Sequence, residues 1–146
     1  LMRAKAESIQ AYDTIPKSPH GLDTPGQVSS AYDLALIARA AMKDKNFRKI
    51  VATKTYVFPH SGPRNLDRKI RNLNKLMFTY PGVIGVKTGY TTKGRNTYIG
   101  IAKRDGHTII ITFMHLKYGR DALAKKLFDW GFDAVGNIEP VGELVS

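Results

Sequence analysis

The fold of this chain is decided by the stretch NTYIGIAKRDGHTIIITFMH, residues 96–115. Two β-like runs, Asn96–Lys103 and His107–His115, flank the triplet Arg104-Asp105-Gly106. Asp-Gly between two such runs is a strong hairpin signal, because these residues tolerate the positive φ angles of a tight turn. The stretch therefore predicts two antiparallel strands joined by this turn.

The elements on either side of this hairpin extend it into a covered sheet. A third β-like run, Gly85–Tyr90, precedes it, and a helix is predicted over Arg120–Phe132. Leu123, Leu127 and Trp130 fall on one face of that helix, so we expect this face to cover the sheet. The remaining tail, residues 133–146, contains Gly and Pro and is expected to be irregular.

The N-terminal part of the chain is predicted to be helical. Leu1–Ala11 has apolar residues at helical spacing, and a loop rich in Pro and Gly follows over Asp13–Gln27. A second helix is expected from Ser30 to near Lys45. Ser30 and Asp33 form a capping pattern in which each side chain can satisfy a free backbone donor. The apolar face of this helix is expected to hold Leu34, Ile37, Ala38 and Ala41.

Between the helices and the sheet, Thr53–Phe58 alternates as a short strand does, and residues 59–63 predict a turn. The following basic segment, Asn65–Tyr80, is ambiguous. The order of helices, then an antiparallel meander, then a covering helix predicts an α+β fold.

Composition restricts the classes of function. The 146 residues include 42% hydrophobic and 24% charged residues, which is ordinary for a globular protein. Lys and Arg number 23 against 12 Asp and Glu, and the net charge of +11 favours polyanions such as nucleic acid, anionic lipid head groups or anionic wall polymers. Cysteine is absent, which excludes disulfides and thiolate catalysis. No apolar run approaches the roughly 18 residues of a membrane span.

Several common site chemistries do not fit the sequence. The four histidines have no pair at i,i+3 or i,i+4, so no zinc motif of the H-E-x-x-H kind is present, and we expect no metal or cofactor. A phosphate loop would need Gly before Lys87-Thr88, where Val86 stands. The basic cluster has no zinc-finger or aromatic RNA-recognition signature, so a solvated basic face is preferred to nucleic-acid binding. The histidines are His20, His60, His107 and His115, and the basic cluster is Arg64, Arg68, Lys69, Arg71 and Lys75.

The interpretation of the triplet Lys87-Thr88-Gly89 depends on the sequence segments around it. They are Ser18-Pro-His-Gly-Leu-Asp23, Gly26-Gln-Val-Ser-Ser-Ala-Tyr-Asp-Leu-Ala35, Asn72-Leu-Asn-Lys-Leu76 and Lys126-Leu-Phe-Asp-Trp-Gly-Phe132. In this order they resemble the low-molecular-mass penicillin-binding proteins, serine-type D-alanyl-D-alanine carboxypeptidases that trim peptidoglycan stem peptides. The resemblance runs through nearly the whole chain, including the ending Pro-Val-Gly-Glu-Leu-Val at 140–145. It implies a partial penicillin-binding-protein or β-lactamase-like transpeptidase fold.

The resemblance implies a substrate-binding role for the triplet and its neighbour. Lys87 would hold a substrate carboxylate at the rim of a cleft, and the Thr88 hydroxyl would bond the same group. Gly89 has no side chain, so an extended peptide could lie against the strand and pair with it. In the family, the backbone N–H after the triplet forms half of the oxyanion hole, and here that donor belongs to Tyr90.

Three further residues have two interpretations each. Arg120 resembles a family arginine that helps to bind the terminal carboxylate, but a surface residue of a first helical turn would look the same. His20 resembles a histidine near the cleft, where it can also fasten its own loop by a hydrogen bond. Thr91 is expected to be structural or a minor substrate contact.

The family mechanism needs Ser-x-x-Lys, Ser-x-Asn and Lys-Thr-Gly, and this chain contains only the last. The nucleophile Ser and base Lys are thus absent, and the resemblance implies that residues 1–146 are the C-terminal portion of one catalytic domain, with 1–52 from the helical lobe and 53–146 forming the sheet and last helix. We expect the chain alone to be inactive. Its uncovered apolar faces should associate with the missing N-terminal portion or with a second copy.

The resemblance further implies stem peptides and β-lactams as partners and a location outside the cytoplasm, in the cell envelope. It leaves carboxypeptidase, endopeptidase and transpeptidase activity open. The alternative is a non-catalytic module that binds cell-wall peptide or polyanion through the basic cleft. No nucleic acid is expected as a partner.

Overall fold

A computed structural model describes residues 1–59 and 67–139. The predicted α+β class is confirmed, with helices first, then strands, then a covering helix. The elements are α1 (Met2–Ser8), α2 (Ala31–Ala41), α3 (Lys45–Val51), β1 (Thr55–Phe58), β2 (Arg68–Arg71), α4 (Leu76–Thr79), β3 (Val83–Thr91), β4 (Arg95–Arg104), β5 (His107–Leu116) and α5 (Arg120–Ala134). None of the helices in the described ranges is long and apolar enough to cross a membrane.

The main sheet is antiparallel with the strand order β3-β4-β5. The β4–β5 hairpin forms where the sequence predicts it: Arg104 pairs with His107, and the two turn residues Asp105 and Gly106 have φ angles of 50° and 81°. Positive φ at both positions matches the right-handed twist of the flanking strands. A second, two-stranded antiparallel sheet pairs β1 with β2.

Helices lie on both faces of the main sheet. On one face, Tyr98 of β4 stacks on Phe113 of β5, and both belong to the core beneath α5, whose Phe128 is fully buried. On the other face, the Thr112 hydroxyl of β5 donates a hydrogen bond to the Ala31 carbonyl at the start of α2, at 2.6 Å. The sheet is therefore the middle of three layers.

Helix α5 covers the sheet with a different set of residues from the one predicted. Ala124, Phe128 and Gly131 are buried, and Leu123 and Leu127 pack partly against the core. Trp130 is 63% exposed, so its assignment to the buried face is wrong. Gly131 occupies the position against the sheet because a Cβ there would press on Ile109 at 3.0 Å. The large indole therefore points outward.

The helix expected from Ser30 to near Lys45 is two helices. α2 ends at Ala41, and Asp44 begins α3 by accepting a hydrogen bond from the Phe47 N–H at 2.7 Å. Arg48 donates to the carbonyls of Met42 and Lys43, which satisfies acceptors left free at the break. α1 likewise ends at Ser8 and not at Ala11.

One of the two hydrogen bonds predicted for the capping pattern at the start of α2 is present. Ser30 Oγ accepts from the Asp33 N–H at 3.1 Å. The Asp33 carboxylate instead accepts from the Thr14 hydroxyl at 2.8 Å and is buried, which ties the preceding loop to the helix. Leu36 and Ala38 are the buried apolar residues of α2, whereas the predicted Leu34, Ile37 and Ala41 are half-buried.

Strand β3 extends beyond its predicted limits, and one ambiguous segment becomes defined. β3 runs from Val83 to Thr91 with an irregular register between Val83 and Gly85. The segment 65–80 contains β2 and the short helix α4. The turn expected at 59–63 falls outside the described residues except for Pro59, as do the predicted tail residues 140–146.

Candidate functional site

The triplet Lys87-Thr88-Gly89 lies on β3, which is the outer strand of its sheet within the described ranges. Lys87 pairs with Ile99, and Ile99 pairs with Thr112, the residue that contacts α2. Lys87 therefore faces the α2 side of the sheet. An outer strand leaves a row of backbone donors and acceptors that can pair with an extended peptide.

The ammonium group of Lys87 is exposed at this edge. Its Nζ donates to the Thr88 carbonyl of its own strand, and among the residues that the structure describes no carboxylate pairs with it. Thr88, opposite Tyr98, is only 8% exposed and turns toward the α5 side. Lys87 thus presents an uncompensated positive charge, and Thr88 is mostly enclosed by the core.

Gly89 lies directly against a side chain of its neighbour strand. A Cβ built on Gly89 would collide with the Thr97 hydroxyl, the side chain of its pairing partner on β4. The sequence analysis attributed the glycine to ligand approach, and the structure adds a packing reason that sequence patterning does not reveal.

Tyr90 and Thr91 end the strand in different ways. The Tyr90 side chain is 63% exposed. The Thr91 hydroxyl donates to Asp23 Oδ1 at 2.7 Å and accepts from the Gly94 N–H at 2.9 Å, so Thr91 organises the turn between β3 and β4. The Lys93 N–H completes the arrangement by donating to Asp23 Oδ2 at 2.9 Å.

Asp23 was not singled out as a site residue, although it ends the His-Gly-Leu-Asp segment that carried the resemblance. The Lys93 N–H, followed by the Thr91 hydroxyl, lowers the pKa of the Asp23 carboxyl below its ordinary value of 3.8, because both donors bond the charged form. Its place in that segment was the available signal.

His20 lies in the same loop as Asp23. Its Nδ1 accepts from the Leu22 N–H at 3.0 Å and bonds the Ser18 hydroxyl at 3.3 Å. The ring therefore fastens its own loop, and a neutral ring carries its proton on Nε2. Within the described ranges, no recorded contact joins His20 to Lys87 or Gly89.

Arg120 is the first residue of α5 and lies at the sheet end where Tyr90 lies. Tyr90 pairs with Asn96, and the Asn96 side-chain amide donates to the carbonyls of Leu116 and Lys117, just before α5. The Arg120 guanidinium bonds Asp121 Oδ1 at 3.0 Å and reaches the Leu73 carbonyl at 3.5 Å. Its side chain is 20% exposed, so part of the guanidinium is open to solvent.

A buried polar pair lies behind this end of the sheet and was missed by the sequence analysis. The Tyr98 hydroxyl donates to Asn74 Oδ1 at 3.1 Å, and both side chains are essentially inaccessible. Burial raises the pKa of Tyr98 to about 12. Asn74 Nδ2 is buried without a partner within the described part of the chain. Asn72-Leu73-Asn74 carried the resemblance, and that was the only signal for this pair.

The described serines serve local structure. None of them is hydrogen-bonded to a lysine side chain, and the described residues contain no group of three His, Cys, Asp or Glu that could hold a metal. Their partners are the Lys5 carbonyl for Ser8, Gln27 for Ser18, Thr14 for Ser29 and the Asp33 N–H for Ser30.

Comparison with known proteins identifies the family to which these features belong. A D-alanyl-D-alanine carboxypeptidase family model matches residues 1–117. The chain is 41% identical to D-alanyl-D-alanine carboxypeptidase DacB2 of Mycobacterium tuberculosis over 98% of its own length and 50% of the relative's. It is 33% identical to DacA of Escherichia coli K12, over 97% of this chain and 34% of that protein. The chain thus spans half or less of these relatives.

Comparison with solved structures leads to the same family. A D-alanyl-D-alanine carboxypeptidase from M. tuberculosis H37Rv superposes with a TM-score of 0.82 at 37% identity, covering 99% of this chain and 55% of that one. The Streptomyces K15 DD-transpeptidase gives a TM-score of 0.82 at 31% identity over 90% and 52% of the two chains. These matches confirm the predicted penicillin-binding-protein type of fold. The chain belongs to the D-alanyl-D-alanine carboxypeptidase family.

Proposed function

We propose that this chain is the substrate-binding portion of a serine D-Ala-D-Ala carboxypeptidase that removes terminal D-Ala from peptidoglycan stem peptides. The observation that carries the proposal is the exposed Lys87 on the edge of β3 that has no partner strand among the described residues. A free cation beside open backbone groups suits a peptide that ends in a carboxylate.

The residues of the edge have different roles in this proposal. Lys87 binds the terminal carboxylate, with Arg120 as a further cation, whereas the Thr88 hydroxyl predicted to bind the same group is mostly enclosed on the opposite side of the strand. The strand beside Gly89 pairs with the extended peptide, and the Tyr90 N–H donates to the developing oxyanion. His20 and Thr91 support the cleft from the loop and turn that Asp23 joins.

The nucleophile comes from residues outside this chain. A serine hydroxyl, deprotonated by its lysine, attacks the penultimate D-Ala carbonyl and forms an ester. The peptide bond to the terminal D-Ala breaks, and the departing amine takes up a proton. Water then hydrolyses the ester and restores the serine. If an amine takes the place of water, the same acyl-enzyme makes a transpeptidation product.

A fluorescent penicillin tests the proposal. A polypeptide that carries this chain together with the preceding residues should be labelled covalently, and the 146-residue chain alone should not be. Product analysis of a D-Ala-D-Ala peptide then separates hydrolysis from transfer to an amine. An unlabelled longer polypeptide would contradict the proposal.

We further propose that the missing portion packs on the α2 side of the molecule, in the cell envelope outside the cytoplasm, where peptidoglycan lies. Apolar side chains remain open on this side, including Tyr32 and Met114, which are 54% and 37% exposed. Gel filtration should show the chain bound to the missing portion or to itself. A stable isolated monomer with a cooperative melt would count against it.

A second candidate is a non-catalytic module that binds wall peptide or polyanion. It is favoured by the described serines, none of which bonds a lysine side chain. It predicts reversible binding by this chain alone that weakens with salt. A longer polypeptide with no Ser-x-x-Lys would support this candidate over the enzyme.

A further inference from the structure

A groove lies between α3 and the β1–β2 hairpin, away from the Lys87 edge. Tyr56 pairs with Ile70 and Phe58 pairs with Arg68, so these side chains project from the same side of the hairpin. Tyr56, Phe58 and Ile70, together with Ile50 of α3, line a groove of about 630 Å³. Nothing in the proposed function uses this groove.

The apolar lining of the groove is exposed. Ile50 is 69% exposed, Tyr56 51%, Phe58 48% and Ile70 41%. None of the four belongs to the core cluster beneath α5. Tyr56 and Phe58 touch edge to face with ring centroids 5.0 Å apart. Several large apolar side chains thus share one open surface, which is unusual for a surface that contacts only water.

The base of the hairpin is fastened to the body of the protein. The Asn72 N–H donates to the Lys54 carbonyl at 2.8 Å, and the Asn72 amide group donates to the Thr53 carbonyl at 3.1 Å. The Arg71 guanidinium lies 4.0 Å from the Phe78 ring centroid. Beyond this base the two strands contact chiefly each other, and all eight of their residues are exposed. The hairpin therefore presents its side chains on a supported projection.

Positive charge is concentrated around the groove. The described residues 43–59 and 67–75 contain nine Lys and Arg against two Asp, so seven of the eleven net positive charges fall in these two segments. One of the two aspartates, Asp44, caps the N-terminus of α3. Lys49 and Lys54 line the groove, and Lys69 is exposed on the hairpin. An occupant must therefore be both anionic and apolar.

We propose that this hairpin and groove dock on the surface of a membrane that contains anionic phospholipid. The aromatic and aliphatic side chains enter the interfacial region, and the lysines and arginines lie against lipid phosphates. A soluble polyanion would satisfy the charges but would leave the apolar side chains in water. A lipid surface satisfies both, and the exposed side chains of β1 and β2 can meet it without rearrangement of the core.

Vesicle binding tests the proposal. The chain should sediment with vesicles of equal parts phosphatidylglycerol and phosphatidylcholine, and should stay in solution with pure phosphatidylcholine. Lys49→Glu, at an exposed lysine that lines the groove, should weaken binding at least fivefold, since each basic residue near an anionic surface contributes about this factor. Tyr56→Ser with Phe58→Ser should also weaken it. Lys126→Glu, an exposed charge reversal on α5, and Trp130→Ser are the matched controls and should leave binding unchanged.

Fluorescence distinguishes insertion from simple charge attraction. In Phe58→Trp combined with Trp130→Phe, the only tryptophan lies on the hairpin, and its emission should shift to the blue with anionic vesicles. Wild-type Trp130 on α5 should show no shift. Circular dichroism checks that each variant is folded, and Lys49→Glu changes only an exposed side chain.

Three results would overturn the proposal. Binding that depends on Lys49 but not on the aromatic pair would indicate nonspecific attraction to polyanions. Binding by the 146-residue chain that disappears in a longer polypeptide would mean that the preceding residues fill the groove. Dissociation of a dimer by the aromatic substitutions, without any effect on vesicles, would assign the groove to a second copy.

Discussion

The Thr91 hydroxyl donates a hydrogen bond of 2.7 Å to the carboxylate of Asp23, a residue 68 positions earlier in the chain. The second oxygen of the same carboxylate accepts from the Lys93 N–H. This contact fastens the loop that contains His20 to the turn that ends β3. The loop therefore holds the C-terminal end of the strand on which Lys87 and Gly89 lie.

The hydrogen bonds of the Asp23 carboxylate should make the stability of the folded protein depend on pH in the acidic range. The pKa of this carboxyl is lowered in the folded state, so its contribution is present above the unfolded value of about 3.8 and is lost as pH falls through the folded pKa. Wild type should melt at a higher temperature than Asp23→Asn at pH 6, and the difference should vanish in strong acid. Thermal melts of both proteins across this range check it. A difference in melting temperature that does not change with pH would contradict the assignment.

The Lys87 edge should matter for acylation and not for folding. In a polypeptide that includes the preceding residues, Lys87→Ala should lower the rate of penicillin labelling by about 10²–10³, the usual cost of removing one charge-stabilising group. Its melting temperature should stay within a degree or two, because Lys87 is exposed. Lys103→Ala, an exposed lysine on the neighbouring strand, is the control and should label normally. Equal losses in both variants would remove Lys87 from its proposed role.

The buried Tyr98–Asn74 pair should carry a measurable share of stability. Tyr98→Phe removes the only hydrogen bond recorded for the Asn74 side chain, whose amide nitrogen is already unpartnered. We expect a loss of about 1–3 kcal/mol in the free energy of unfolding. Tyr12→Phe, at a tyrosine that is 63% exposed, should change it by less than about 0.5 kcal/mol. Denaturant titration of both variants measures the two values, and equal values would mean that the buried bond contributes nothing.

Truncating a side chain on the buried face of α5 should destabilise the protein strongly, whereas truncation on the exposed face should have little effect. Phe128 is fully buried and packs on Tyr80 with ring centroids 5.4 Å apart. Phe128→Ala should cost about 3–5 kcal/mol of unfolding free energy. Trp130→Ala should cost little, since its side chain is largely in solvent. If Trp130→Ala proved the more damaging in a denaturant titration, the orientation of α5 would be wrong.

The elements that the sequence predicts well are those with strong local signals. Asp105-Gly106 predicts the hairpin because these residue types favour the positive φ angles of its turn. Ser30 predicts the start of α2 because its side chain caps the helix. Trp130 was assigned to the wrong face because helical spacing does not reveal that Gly131 allows close packing on Ile109.

Contacts between distant segments could not be predicted from the sequence. Asp23 and Thr91 are far apart in the chain, and neither belongs to a pattern that names the other. Asn74 and Tyr98 are hydrogen-bonded to each other inside the core. In the sequence they are only two polar residues in separate segments, and nothing there indicates that they pair. The triplet Lys87-Thr88-Gly89 could be recognised because its three residues are consecutive in the sequence.

Gly89 and Thr97 offer the sharpest test of the β3–β4 register. Gly89→Ala should destabilise the protein by about 1–3 kcal/mol, because the new methyl group meets the Thr97 hydroxyl. In the background of Thr97→Ala the same substitution should cost less, since the next nearest atom of residue 97, its Cβ, lies at 3.8 Å. A double-mutant cycle in denaturant measures this coupling. Additive effects of the two substitutions would mean that the side chains do not meet, and the pairing of Gly89 with Thr97 would then have to be abandoned.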